Sequence, residues 1–219
     1  MDISSLLMRG LMFALLLPAI VLHEVAHGYM AYRLGDTTAK DRGRLTLNPI
    51  KHIDLFGTIL LPLLMIAIFG FGFGYAKPVP INPHRFRDYR KGLFLTGIAG
   101  PSANLGLALA GAVIVRFMEG FGMDVTPGGE LITVGFYLFA YMNLMLMFFN
   151  LIPLPPLDGS RILPLFLSDR AMVTYGKFEQ YGFVIIVAIL WLGPRVLGFD
   201  PIGAYFDLTV NPIMNLLVG

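Results

Sequence analysis

The apolar residues of this chain are gathered into blocks too long for a soluble core. The first runs from about Ser4 to Leu34, and others cover residues 55–75, 93–118, 131–152 and 181–196. Several approach or reach the roughly 20 residues that carry a helix across a hydrocarbon layer. In that setting the backbone must satisfy its own hydrogen bonds, which leaves helices as the economical solution. The composition agrees, with 56% hydrophobic and 14% charged residues and a mean hydropathy of +0.72, against nearer a quarter charged in soluble domains. The expectation is an all-α integral membrane protein. It is a multi-span helical bundle of about four full spans plus one re-entrant or extra membrane segment, folded as a single domain over residues 1–219. The absence of cysteine excludes disulfides and thiolate ligands. The first block has no A-x-A-like cleavage site and runs on into His23 and Glu24, so it reads as retained and not as a removed signal.

The connections carry the topology. Residues 36–54 are polar and basic, with Lys40, Arg42, Arg44 and Lys51. Residues 76–92 are basic again and contain Pro78, Pro80 and Pro83, which predicts a short extended, β-like loop. Beside membrane helices such basic stretches mark the cytoplasmic side and not a nucleic-acid site. Residues 119–130 have no Lys or Arg and belong outside. Block 55–75 has basic flanks on both sides, so it should enter the membrane and return; Pro62, Gly70, Gly72 and Gly74 give it places to bend, and Phe71, Phe73 and Tyr75 suit an interface. In the third block Ser102, Gly106 and Ala110 lie four apart and predict a small-residue ridge for close helix packing. Residues 198–219 are apolar but too broken for an assignment.

His23-Glu24-Val25-Ala26-His27 is the strongest chemical signal. On a helix, residues four apart share a face, so both imidazoles can bind one metal ion, while Glu24 stands where it can take a proton from water at that metal. Three ionisable groups in an otherwise apolar helix mark function by default. A catalytic zinc needs a third protein ligand and an open position. Asp158, in Asn150-Leu-Ile-Pro-Leu-Pro-Pro-Leu-Asp158-Gly159, is the leading candidate, and an equally good helix N-cap. Glu119, Glu130 and Glu179 are the remaining carboxylates a different zinc peptidase would need. Asn143 and Asn104 suit helix packing better than a substrate role, and His52 with Asp54 suits a solvated loop better than a second metal site.

The HEVAH pentapeptide, Gly100-Pro101-Ser-Ala-Asn104 and Asn150…Pro153…Pro156-Leu157-Asp158-Gly159 occur in the order found in the site-2 protease family, which this chain resembles from Leu22 to Ser160. Gly43–Asp54 and Ala76–Pro83 are similar to its compact bacterial-type members. The resemblance implies zinc held by His23, His27 and Asp158, Glu24 as catalytic base, and Asn150 at the substrate carbonyl or oxyanion. It implies a transmembrane protein or peptide substrate cut within the lipid bilayer, as in regulated intramembrane proteolysis, with the active site toward the cytoplasmic side of the cell membrane. PDZ and CBS domains are not expected. The alternative is a non-catalytic membrane protein that binds metal for transport or as a scaffold. Nothing in the sequence marks an oligomeric state.

Overall fold

A computed structural model of the protein describes residues 3–69, 75–126 and 128–219. The described residues form helices and irregular segments, with no strand among them. The helices are α1 (Ile3–Arg33), α2 (Thr38–Asp41), α3 (Leu61–Phe69), α4 (Tyr89–Gly120), α5 (Gly129–Leu151), α6 (Gly159–Ile162), α7 (Asp169–Phe178), α8 (Gly182–Leu197) and α9 (Pro201–Val218). Four apolar stretches are long enough to span a membrane: Ala14–Arg33, Tyr89–Gly120, Gly129–Leu151 and Asp169–Leu197. The chain is therefore an all-α, multi-pass membrane protein.

The first long helix stops where Gly35 takes φ +107°, a conformation that only glycine adopts cheaply. α4 starts under an Asp88 side chain that accepts from the Lys91 N–H, and its face of small buried residues packs on both α1 and α5. That face is Gly100, Asn104, Ala108, Gly111, Ala112 and Val115, not the expected Ser102, Gly106 and Ala110. A Cβ on Gly106 would meet nothing within 4 Å, whereas one on Gly111 would touch the Phe136 carbonyl at 3.1 Å and Ala140 at 3.2 Å. The difference is one of rotation: the polar groups at Asn104 must face α1 and α5, which turns Ser102 and Gly106 outward.

The broken tail is a helix. Asp200 caps it by accepting from the Ile202 N–H at 3.0 Å, and Pro201 occupies its first turn, where a missing N–H costs nothing. Val210 and Met214 of α9 join Ala108, Ala140, Leu144 and Met147 in the buried core. Arg116 closes the far end by donating to the carbonyls of Leu217 (2.9 Å) and Gly219 (2.8 Å).

Between α1 and α4 the chain leaves one end of α1 and comes back to it. Residues 44–49 run down beside α1, with Leu45 against Gly28 and Leu47 and Pro49 beside Leu17 and Val21. Only residues 36–42 of the expected basic loop stay at the end of the bundle, because Leu45, Leu47 and Ile50 give the remainder an apolar side. The apolar helix that follows, Leu55–Ile68, is about 21 Å long, short of a full crossing. It opens with a π turn capped by Asp54, which accepts from the Gly57 N–H at 2.7 Å. Gly70, Phe71, Gly72, Phe73 and Gly74 lie outside the described residues. Residues 75–82 climb back along α1 as an extended strap without strand pairing. At the top, Asn82 N–H donates to Asp36 Oδ2 (2.6 Å), Arg85 donates to Thr37 Oγ1 (3.1 Å), and Arg87 N–H reaches the Leu34 carbonyl (3.4 Å). The end of α1 and the approach to α4 therefore share one end of the bundle.

Candidate metal centre

The centre forms where α1 crosses α4. His23 and His27, one turn apart on α1, face Thr96, Gly100 and Asn104, which are spaced by single turns on antiparallel α4. The His27 Nδ1–H donates to the Thr96 carbonyl at 2.6 Å, and His23 Nδ1 lies 2.5 Å from Asn104 Oδ1. A carbonyl only accepts, so His27 carries its proton on Nδ1 and presents a bare Nε2 lone pair. Gly100 lies between the two pairs. A Cβ there would come within 2.6 Å of His23 Nε2 and closer still to His27 Nε2, so this position admits glycine alone.

Asp158 arrives from the other side. Pro153, Pro155 and Pro156 end α5 and its continuation, and the short helix α6 starts at Gly159. Asp158 stands at the N-cap position of α6, yet its side chain makes no capping hydrogen bond. Its Oδ2 lies 3.0 Å from His23 Nε2 and 2.9 Å from His27 Nε2, and the two Nε2 atoms are 3.0 Å apart. All three residues are buried. Two imidazole nitrogens and a carboxylate oxygen match the donor set of a catalytic zinc, and bonds of 2.0–2.1 Å in a tetrahedron would space them by about 3.3 Å. The histidines, each held through Nδ1, have the supporting contacts that such ligands need. Among the described residues this is the one cluster of three potential ligands. Arg161, one turn beyond Asp158, brings Nη1 to 3.7 Å from the other oxygen, Oδ1.

Glu24 and Asn150 border the same cavity, of about 380 Å³, together with Ile20, Tyr75, Leu146 and Phe183. Glu24 Oε2 accepts from the Val79 N–H of the strap at 2.9 Å. The Asn150 Nδ2 donates back to the Leu146 carbonyl of its own helix at 3.0 Å. The strap is itself pinned. Lys77 N–H donates to the His52 carbonyl (2.9 Å) and Arg44 to the Lys77 carbonyl (2.8 Å). Asp36, fully buried, accepts from Asn82 N–H and from both the N–H and hydroxyl of Thr38. Burial pushes the Asp36 carboxyl up, but these donors prevail and hold it below its ordinary range.

The structure thus brings together His23, Glu24, His27, Asn150 and Asp158. Asn104, expected to be a packing residue, is instead the partner of His23, while Asn143 supports Asn104 at 2.9 Å. The signal was present in Gly100-Pro-Ser-Ala-Asn104, whose first and last members lie one turn apart. His52 is not a solvated loop residue. It is buried, with Nε2–H on the Thr46 carbonyl at 2.8 Å, and Asp54 is occupied as a cap. Glu119 and Glu130 sit at the junction of α4 and α5, at the opposite end of those helices from the centre.

The fold and this centre define a class: multi-pass membrane proteins with a buried site for one metal between their helices. Comparison with known proteins narrows it. The profile of Peptidase family M50 matches residues 129–193. The chain is 40% identical over 201 residues to "Putative zinc metalloprotease YwhC" of Bacillus subtilis (strain 168), an alignment covering 91% of this chain and 84% of that one. It is 31% identical over 174 residues to "Putative zinc metalloprotease Rip2" of Mycolicibacterium smegmatis, covering 80% and 64%. It is 28% identical over 161 residues to "Zinc metalloprotease MJ0392" of Methanocaldococcus jannaschii, covering 74% and 35%. No solved structure matches. The chain belongs to peptidase family M50, and it is a zinc-dependent metalloprotease.

Proposed function

We propose that this metalloprotease cuts transmembrane or membrane-associated protein segments inside the bilayer, with zinc on His23, His27 and Asp158 and with Glu24 as the proton-transfer group. The observation that carries the reading is the convergence of the three donor atoms in a cavity that Glu24 also borders, walled by helices long enough to span. Zinc bound there supplies a Lewis acid that polarises the scissile carbonyl and lowers the pKa of water. Glu24 takes the proton of the attacking water on a carboxylate oxygen and passes it to the leaving amine. Its Oε2 is held by the Val79 N–H, which leaves Oε1 for the proton. Asn150 turns its amide toward the carbonyl oxygen as charge develops there.

A helical substrate hides its carbonyls in internal hydrogen bonds, so it must be drawn out before it is cut. The strap at residues 75–82, already extended along the cavity, offers an edge for such a segment. The basic flanks of residues 55–75 support a site that opens toward the cytoplasmic face of the cell membrane, with the metal position about 9 Å below the end of α1 by helix rise from His27 to Arg33. Residues 1–219 act as one membrane-embedded domain, in the manner of regulated intramembrane proteolysis. Glu24→Gln tests the reading: the purified variant should keep its zinc and lose cleavage of a reconstituted transmembrane peptide. Cleavage at the wild-type rate would refute it.

A further inference from the structure

A chain of buried amides runs from His23 across three helices. His23 Nδ1 faces Asn104 Oδ1 at 2.5 Å, Asn104 Nδ2 donates to Asn143 Oδ1 at 2.9 Å, and Asn143 Nδ2 donates to the Phe139 carbonyl at 2.8 Å. Asn104 and Asn143 are both fully buried. An isolated amide in such a place can turn over and offer either its oxygen or its NH2 to a neighbour. This chain cannot, because one end of it is a backbone carbonyl. The Phe139 oxygen only accepts, so Asn143 must direct its NH2 there and its oxygen toward Asn104. Asn104 must then direct its NH2 to Asn143 and its oxygen to His23. His23 is left to donate from Nδ1–H, and its Nε2 lone pair points at Asp158 and His27.

We infer that Asn143 and Asn104 form a directional relay, anchored on the Phe139 carbonyl, that holds the His23 ring in the one orientation and tautomer able to bind metal through Nε2. Both are positioning residues: Asn104 acts on His23, and Asn143 acts through Asn104. The inference rests on the reading of His23 as a zinc ligand. It explains why two amides are tolerated at membrane depth, where each would otherwise be costly. It also gives the two histidines different supports. His27 leans on a main-chain carbonyl of α4, which no side-chain substitution removes. His23 depends on two side chains, so the relay is where the centre can be weakened without touching a ligand.

The test uses the full chain, loaded with zinc and labelled with 15N at its four histidines. The wild-type protein should show downfield ring N–H protons protected from exchange at Nδ1 of His23 and of His27, beside the Nε2–H of buried His52, which serves as an internal reference. In Asn104→Leu the His23 proton should be lost while that of His27 remains, and zinc affinity, read by competition with a chromophoric chelator, should fall toward about 100-fold. Asn143→Leu leaves the nearest partner of His23 in place but frees it to turn over, so the same proton should weaken and affinity fall nearer about tenfold. Asn104→Asp, which still accepts from Nδ1–H, should retain the His23 proton. A general loosening of the bundle would disturb His27 as well. The relay is overturned if Asn143→Leu leaves the His23 proton and the zinc affinity unchanged, or if the wild-type protein binds zinc with no protected His23 proton. A wild-type protein that takes up no zinc overturns the metal reading, and the relay with it.

Discussion

Gly100→Ala should empty the metal centre while leaving the bundle folded. The added Cβ would lie 2.6 Å from His23 Nε2, where ordinary contact begins at 3.4 Å, so α1 and α4 must part or the rings must swing by about 0.8 Å. Metal–ligand distances tolerate only about 0.2 Å, so the displacement exceeds the tolerance roughly fourfold. The Asp158 side cannot follow, because α6 rests on α4 at Gly97, whose own Cβ would meet the Asp158 carbonyl at 3.1 Å. Stability should respond far less. Overpacking costs about 1–3 kcal/mol, and replacing glycine by alanine within a helix returns up to about 1 kcal/mol. The assay is zinc per chain after gel filtration against a weak chelator, beside a thermal melt of the same sample. Gly106→Ala is the matched control: it lies on the same helix, faces open space, and should keep full zinc. A Gly100→Ala protein with stoichiometric zinc and wild-type affinity would refute the geometry of the centre.

Asp158→Asn should remove zinc by more than the about 100-fold that a supporting residue costs and leave the melting temperature of the metal-free protein nearly unchanged, since the carboxylate does not cap α6; full zinc occupancy by mass spectrometry would contradict this. Asp36 has a carboxyl held below its ordinary value of 3.8, so its contribution is complete above that pH and fades as pH falls through the lower folded value. Asp36→Asn should therefore flatten the acid limb of stability against pH, and a limb identical to wild type would count against the anchor. Single cysteines at Lys40 and Arg87, in a chain that has none, should be labelled from the same side of the membrane, and one at Phe121 from the other; opposite labelling of the first pair would end the re-entrant arrangement of residues 55–75.

The parts of this site that were legible in the sequence are those fixed by local chemistry. Two imidazoles and a carboxylate in one turn of an apolar helix are so costly that they announce themselves. Asp158 was ambiguous, because Asp-Gly-Ser-Arg before apolar residues is also a good cap; only the position of its oxygens decides. The small-residue faces of α4 show a different limit. Ser102, Gly106 and Ala110 repeat every four residues, as do Gly100, Asn104 and Ala108, and periodicity cannot say which set meets a partner. The answer lies across the interface, in the need of His23 for an acceptor and of two rings for a position without a Cβ. The tail was missed for a related reason: Pro201 and Pro212 look like breaks, but Pro201 stands in a first turn, where its missing N–H is no loss.

The strap shows how far a break in helix pattern can be read. Pro78, Pro80 and Pro83 were legible as an extended stretch, but their placement says more once the partners are known. In an extended chain, successive N–H groups point to opposite sides. Lys77 and Val79 donate toward the protein, to the His52 carbonyl and to Glu24, and Asn82 donates to Asp36. Over residues 77–80 the positions that alternate with Lys77 and Val79, and would turn a donor away from α1, are the prolines at 78 and 80. Irregular backbone at membrane depth is tolerated only where its polar groups are met, and here two of the donors that would face away are deleted by sequence. A segment lying along that edge would find carbonyls to pair with and few donors. It must therefore bring its own free N–H groups, as a helix does only after it has unwound.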